Sequence, residues 1–542
     1  MVTAGASGAA RRFAPRHPIV PMPTVLRLAL IAAVLAPAAS AQTALPPDFD
    51  ATVRHVMETF GVPGVSVAIV QNGRTVLARG YGTRRLGADA PVDERTRFGI
   101  ASNSKAFTAT ALGMLVEEGR VAWDAPVTRY LPAFSLVDPV ITRELTVRDL
   151  LVHRSGLSLG AGDLLWWPAS TETREETVAH LRFLPLSTSF RSQYAYDNVL
   201  YMVAGEVVEA ASGMSWEAFV QTRVLDRLGM ADTRASVGEG LAGDNVSGTF
   251  AVIDGRTVPV AAFDGENANP AAGITSTAAD MARWMTVQLD SGRVALPDVA
   301  AGRLWSRATT EQLWTGVTPI RIAAAPAELR ALQAQFRLYA LGFNVQDLRG
   351  VKTVSHTGGL PGFVSQLTLV PSLGLGVAVL TNGESGPAFQ SITQAVLDAA
   401  MGVPPTDWAA AYQTVAARRA AAADAVVASA EAGRDADSGP SLPLAAYAAT
   451  YTDPWYGAVE IAPEGRGLGI RFANTPLLVG TLEHWQHDTF VARWADRTLR
   501  ADAYVTFALR PDGTVREARM QAVSPETDFS FDFQDLVLTP PR

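Results

Sequence analysis

The stretch GIASNSKAFTA, residues 99 to 109, sets a hydroxyl, Ser102, three positions ahead of an amine, Lys105. On a helix, residues three apart share a face, so the two side chains come within reach of one another. If the helix begins near Ser102, the pair also sits where free backbone N–H groups favour developing negative charge. That layout suits a nucleophile with an adjacent base. Lys105 is one of two lysines in a chain of 542 residues that holds 43 arginines. Arg does not release its proton in a protein, whereas a buried Lys does, so a surviving Lys fits a required deprotonatable amine. To act as a base it needs burial or a second cation to bring its pKa down from about 10.4; otherwise it serves as a charged partner for another base. A Lys on a solvated helical turn is the plain alternative, and the Ala and Leu density around Lys105 speaks against it.

Two more clusters have residue types for the same chemistry. QYAYDNVLYMVAG supplies Tyr196 and Asn198 as Tyr-x-Asn, and VSHTGGLPG supplies His356, Thr357 and Gly358 on a strand-like run. Only a fold that gathers distant segments unites them with Ser102. VPGVSVAIVQNGRTVLARGYGT alternates apolar residues on both sides of Asn72-Gly73, a hairpin signal. A helix is predicted over 102–118, with Gly119 at its C′ position. Residues 120–340 read mostly as helices and loops, among them TVRDLLVH and VLYMVAGEVVEAAS. Strand patterns return at TVSHTGG, FVSQLTLVP and LGVAVLTN, followed by a helix at AFQSITQAVLDAAMG. Strands at both ends around a helical middle predict one sheet assembled from distant segments, with a mostly α insertion.

With LLVHRSGL at 150–157, RLGMADT at 227–233 and PAAGITSTAADMARWM at 270–285, these motifs make the chain from 50 to 400 resemble the class C β-lactamase and serine DD-peptidase group. The resemblance implies an α/β fold of the β-lactamase/transpeptidase type: an antiparallel sheet flanked by helices, plus an all-α region, with no metal and no cofactor. It implies that Ser102 is acylated and that Lys105 and Tyr196 share the proton work; to act as a phenolate Tyr196 needs a pKa well under its usual value of about 10, a shift that Lys105 as ammonium can supply. Such a pair titrates as a unit, which leaves the principal base open. It further implies that Asn198 orients Lys105 and the substrate amide, that the backbone N–H groups of Ser102 and Gly359 form an oxyanion hole, and that His356, Thr357 and Gly358 line the substrate edge.

Two positions depart from the group's pattern. His356 stands where most β-lactamases have Lys, and a neutral imidazole anchors a substrate carboxylate more weakly. That turns the reading from penicillins toward peptides. Asp197, inside the Tyr-x-Asn element, is expected to add a negative charge near the cleft that suits a substrate amine.

Competing motifs are weaker. GLSLG matches a nucleophile elbow around Ser158, but the motif needs a preceding strand, and TVRDLLVHRS, with Thr146 as N-cap, reads as helix. His484 and His487 in HWQH point to opposite faces of a strand, without a Cys or a third close His to complete a metal site. Trp455, Tyr456, Trp485 and Phe490 read as packing residues, and His55, His153 and His180 as structural, with LVHRSG fixing a loop beside the cleft.

Composition sets the frame. With 48% hydrophobic and 18% charged residues the chain is globular, and a net charge of −8 with a pI near 5.5 argues against nucleic-acid binding. There is no cysteine, hence no disulfide and no lipid attached through Cys. Residues 1–41 read as an export signal: Arg27, an apolar run over 28–35, and the small-residue site Ala39, Ser40, Ala41, with cleavage expected before Gln42. The apolar run is short for a membrane span, and the true start is either Met1 or Met22. The expected domains are the signal, a hydrolase domain at 42–404, an Ala-rich helical linker at 405–442, and a C-terminal all-β barrel at 443–542 that looks like the lipocalin-like domain appended to serine hydrolases of this group. The expectation is therefore a periplasmic or secreted serine hydrolase, with no integral membrane segment after signal removal. It cleaves peptide or amide bonds, D-residue peptides among them, in small-molecule or peptide substrates, and the C-terminal domain offers a route to oligomers. The alternatives are a β-lactamase, a carboxylesterase, and a penicillin-binding protein that traps the acyl group with little turnover.

Overall fold

The computed structural model describes residues 45–541, so the expected export signal lies outside the described residues. The first hairpin forms at Asn72-Gly73: strands β1 (Gly64–Gln71) and β2 (Arg74–Gly82) are joined by Asn72 at φ 51 and Gly73 at φ 75. Two left-handed residues in a row are what a type I′ turn requires, and its twist matches that of the strands it joins. From the far part of the domain come β3 (Thr318–Pro319), β4 (Arg337–Tyr339), β5 (Asn344–Leu348), β6 (Val351–Leu360), β7 (Phe363–Val370) and β8 (Leu375–Thr381). All eight form one antiparallel sheet, in the order β2-β1-β8-β7-β6-β5-β4-β3, in which Val65 of β1 lies opposite Thr381 of β8. The predicted assembly from distant segments is what forms.

The two faces of this sheet follow the strand period of two. Val65, Val67 and Ile69 of β1 pack with helices α1 (Phe49–Phe60) and α5 (Gly386–Ala400) in one core. Ala68 and Val70 face a second core shared with α2 (Ser104–Glu117), α3 (Val199–Ser212) and α4 (Ala278–Leu289). Every residue of α2 from Ser104 to Leu115 is buried, so this helix runs through the interior and shows no amphipathic stripe.

Two helix predictions need correction. The helix after Gly99 does not begin at Ser102: residues Ala101–Asn103 form a 3₁₀ turn, and the α-helix starts at Ser104. TVRDLLVH makes only the 3₁₀ turn Asp149–Leu151. Thr146 still bonds Asp149, but the buried Asp149 carboxylate also gathers Arg154 and Arg191, and His153 turns left-handed at φ 54, which ends any helix.

The Ala-rich stretch forms α6 (Trp408–Ala432), pinned at its start by the Trp408 indole N–H, which donates to Asp398 at 2.8 Å. Strands β9 (Ala449–Asp453), β10 (Gly457–Glu464), β11 (Gly467–Phe472), β12 (Val479–Gln486), β13 (Thr489–Trp494), β14 (Ala503–Leu509) and β15 (Val515–Ala522) follow as an antiparallel meander. The expected C-terminal all-β domain is present as a half-barrel, in which β9 and β15 do not pair. Thr539 instead exchanges backbone hydrogen bonds with Thr452 of β9, and Leu538 with Ala518 of β15, so the last segment spans the gap. Phe533 on that segment stacks on Trp494 at 5.9 Å between ring centroids and fills space that closure would have removed. Among the described residues no helix is long and apolar enough to cross a membrane.

Candidate active site

Ser102 sits on a tightly held turn. Ala101 has a left-handed backbone, φ 49, an unfavourable state for a residue with a Cβ that persists only where surrounding contacts impose it. Those contacts are present. Ser365 on β7 donates to the Ile100 carbonyl and accepts from Asn103 Nδ2, both at 2.8 Å, while Ser104 Oγ donates to the Ala101 carbonyl at 2.7 Å. Its neighbours are buried, and Ser102 alone in the turn is partly exposed, toward a cleft of about 260 Å³. Strand β6 approaches this turn so closely that a Cβ on Gly358 would lie 2.2 Å from the Ile100 carbonyl oxygen, whereas a Cβ on Gly359 would meet open space.

Lys105, on the first turn of α2, has no solvent exposure. Its Nζ lies 3.0 Å from Ser102 Oγ, 2.7 Å from Asn198 Oδ1 and 3.0 Å from the Ala271 carbonyl oxygen. Burial pushes its pKa down to about 7, against the opposing pull of Asp163 and Asp197. An amine that has lost its proton keeps two N–H donors and one lone pair. Asn198 and Ala271 offer only acceptors and take the two donors, which leaves the lone pair for the Ser102 hydroxyl.

Tyr196 lines the same cleft within reach of Ser102, and its ring centroid is 5.0 Å from Lys105 Nζ. A phenolate is not what this enclosure favours. Rings of His153 at 4.3 Å, Phe529 at 6.0 Å and His356 at 6.3 Å displace water, and burial raises the phenol well above its ordinary value. Tyr196 is a proton donor here, and Lys105 is the group ready to accept. His356 is buried and neutral. Its Nδ1–H donates to the Thr357 carbonyl at 2.6 Å and its Nε2 accepts from the Tyr339 hydroxyl at 2.8 Å, while burial pushes its pKa down to about 3. Both ring nitrogens are engaged, so His356 shapes the cleft wall and anchors no carboxylate.

Residues 49–401 match the beta-lactamase family, and residues 433–540 match a domain of unknown function, DUF3471. The chain belongs to the beta-lactamase family. It is similar to the unguisins hydrolase ungD of Aspergillus violaceofuscus (strain CBS 115571), at 29% identity over 88% of this chain and 87% of that protein. It shares its fold with the octameric penicillin-binding protein homologue from Pyrococcus abyssi, with a TM-score of 0.58 at 22% identity over 88% of this chain and 97% of the other. A D-stereospecific amidohydrolase from Streptomyces sp. aligns with a TM-score of 0.51 at 23% identity, covering 65% of this chain and 98% of its own.

In this beta-lactamase-family chain, Ser102, Lys105, Tyr196 and Asn198 converge as the motifs predicted, and His356, Thr357 and Gly359 line the same cleft. Asp197 does not. It is fully buried, its carboxyl is pushed up to about 7 by that burial, its backbone N–H donates to His153 Nδ1 at 3.2 Å, and it does not line the cleft. Sequence reasoning missed three contributors. Asp163 accepts from Asn198 Nδ2 at 2.8 Å, Arg337 on β4 brings an exposed guanidinium to the cleft, and Phe529 with Ser530 forms part of its wall. For Arg337 the signal was faint: an Arg on a short strand just before the His-Thr-Gly strand. Ser158 lies in a loop and donates to Asp535 at 2.7 Å, which is a packing role. His484 Nε2 bonds the His487 carbonyl at 2.9 Å, and among the described residues no group of acidic, His or Cys side chains is arranged to hold a metal.

Proposed function

We propose that this chain is an exported serine hydrolase that cleaves peptide or amide bonds through an acyl-enzyme on Ser102. The observation that carries this reading is the 3.0 Å contact between the Ser102 hydroxyl and a Lys105 amine whose other two positions face acceptors. The hydroxyl proton passes to Nζ as Oγ attacks the substrate carbonyl carbon. Strand β6 pairs with β5 only over residues 351–355, so beyond Ser355 its edge is free. The hairpin closes on Leu360 opposite Phe363, and ladder alternation then directs the N–H of Gly359 to that free edge. There, with the Ser102 N–H, it is placed to accept the oxyanion. Collapse of the tetrahedral species returns the proton to the leaving nitrogen by way of Lys105 and the Tyr196 hydroxyl, leaving an ester on Ser102. Water, deprotonated by the same pair, hydrolyses it.

Amides and peptides come first among substrates for three reasons. His356 is neutral, so the cleft lacks the Lys of most β-lactamases. Arg337 and Asp528 bring opposite charges to one cleft, which suits the two ends of a short peptide. Past Gly359 the cleft meets a second chamber of about 550 Å³, which also includes Trp167 and Asp528, so substrates larger than a bicyclic β-lactam have room. The hydrolase name of the fungal relative supports a hydrolase, and the octameric archaeal homologue supports an oligomer as part of the proposal.

The test is a substrate panel of D-aminoacyl amides, peptides ending in D-Ala-D-Ala, a chromogenic cephalosporin and short esters. We expect kcat/KM for the best amide or peptide to exceed that for the cephalosporin, and Ser102→Ala to lower it by about 10³-fold or more. Turnover of the cephalosporin alone, or a covalent adduct that persists in intact-mass spectra, overturns the amide reading. Undiminished turnover by the Ser102 variant overturns the nucleophile.

A further inference from the structure

We propose that the C-terminal half-barrel is a working part of the active site, and that Ser530, which it contributes, is a positioning residue holding Lys105 in its catalytic geometry through Asp163 and Asn198. This rests on the reading of Ser102 as nucleophile with Lys105 as its base.

The connection is a continuous chain of short hydrogen bonds. Lys105 Nζ donates to Asn198 Oδ1 at 2.7 Å, Asn198 Nδ2 donates to Asp163 Oδ2 at 2.8 Å, and Ser530 Oγ donates to that same Oδ2 at 2.8 Å. The Trp166 indole N–H fixes the other carboxylate oxygen at 2.8 Å. None of the linking groups reaches water to any extent: Asp163 is 0% exposed, Asn198 3% and Ser530 4%. The direction of the chain matters. Asn198 can hold the amine with its oxygen only if its NH₂ group points the other way, and the Asp163 carboxylate is what draws it there. Reversed, the amide would set a donor against Lys105. Ser530 and Trp166 in turn hold the carboxylate's orientation, so the sense of the whole chain is fixed from a segment 367 positions away.

That segment is clamped to the loop that leads into Asp163. Asp532 accepts the Gly162 backbone N–H and Asp535 accepts the Ser158 hydroxyl, each at 2.7 Å. Phe529, next to Ser530, is 41% exposed at the cleft and meets Tyr196 edge-on. The backbone of this segment lies so near the 160–162 loop that a Cβ on Gly160 would stand 2.7 Å from the Phe529 carbonyl oxygen. The titratable groups facing Lys105 are Asp163, Asp197, His153, His356, Tyr196 and Tyr201, with Asp532 beyond Asp163.

The experiment uses the full chain with Ser530→Ala, Ser530→Thr and Ser102→Ala, measured on the best amide substrate across pH. Loss of the Ser530 hydroxyl removes a donor that favours the ionised Asp163. A less negative Asp163 gives the Lys105 ammonium less support, so the acid limb of kcat/KM moves to lower pH. We expect kcat for Ser530→Ala to fall by about 10-fold with KM changed by less than about twofold, and the limb to move down by about half a unit. Ser530→Thr, which keeps the hydroxyl, returns kcat and limb toward wild type. An unchanged kcat overturns the proposal. So does a lowered kcat with an unmoved limb and no recovery in the Thr variant, which marks a structural role alone. Ser102→Ala separates the two readings: if it stays active the nucleophile assignment fails, and if it is dead while Ser530→Ala behaves as wild type, only this inference fails.

Discussion

An amine without solvent contact, surrounded by three oxygen atoms of which one is the Ser102 hydroxyl, has its pKa pushed by burial from 10.5 down to about 7. The sign follows from the active form: Lys105 must be neutral to accept the Ser102 proton, so kcat/KM is low below pH 7 and rises to a plateau above it. We predict an acid limb with a midpoint near 7 in the pH profile, and a loss of about 10³-fold for Lys105→Arg, whose guanidinium stays charged at every accessible pH. A midpoint near 4, or a variant that keeps its rate, contradicts the assignment. The four residues of this centre were legible because each carries its chemistry in a local pattern of type and spacing. Asp163 and Ser530 were not, since an acid in a loop and a serine near the C-terminus acquire meaning only when folding brings them to Asn198. The ionisation state of Tyr196 was not legible for a related reason: charge near a phenol favours ionisation, burial opposes it, and only the packed rings of His153, His356 and Phe529 decide which effect is larger.

Strand β6 and the turn before α2 form the cleft by touching, and glycine is what lets them touch. Gly358 and Gly359 look equivalent in sequence, yet a methyl group on the first would meet the Ile100 carbonyl oxygen at 2.2 Å and the Ala101 side chain at 2.9 Å, while on the second it would meet nothing within 4 Å. Gly358→Ala is therefore expected to cost about 1–3 kcal/mol of stability and to displace the nucleophile turn, lowering kcat by about 10²-fold. Gly359→Ala leaves the melting temperature unchanged and acts through the substrate, with KM rising most for bulky acyl groups. Equal losses of stability in the two variants, read by thermal melting, would sink this account. The strand pattern and the Asn72-Gly73 turn were readable because alternation and turn chemistry are local. The end of TVRDLLVH at a 3₁₀ turn was not, because the Asp149 network that stops it draws Arg191 from a distant loop. The all-β C-terminal domain was legible in its short strands and turns, while the pairing of its edge strands is decided by what else arrives to fill the gap.

At the scale of the molecule, the segment that spans that gap also holds the two sheets' domains together, and it does so with buried carboxyls. Asp532 is 0% exposed, accepts the Gly162 N–H at 2.7 Å and bonds Gln534, and burial, followed by the nearby Asp535 and Asp163, pushes its carboxyl well above the ordinary range. An acid whose folded pKa exceeds its unfolded one contributes fully to stability below the unfolded value near 3.8, and that contribution is lost as pH rises toward the folded value. Asn keeps the oxygen that accepts from Gly162 and removes the charge, while the exposed Gln534 is free to turn its amide. Asp532→Asn is thus expected to match wild type near pH 4 and to exceed it by about 1–2 kcal/mol at pH 8, a rise in melting temperature of about 1–2 °C for a protein of this size. Scanning calorimetry of both proteins at several pH values reads the difference directly. A variant that is less stable than wild type by the same amount at every pH means that Asp532 contributes shape and hydrogen bonding alone. A gap that opens with pH identifies a charge that the docked segment pays to bury, held there because the same segment delivers Ser530 to Asp163.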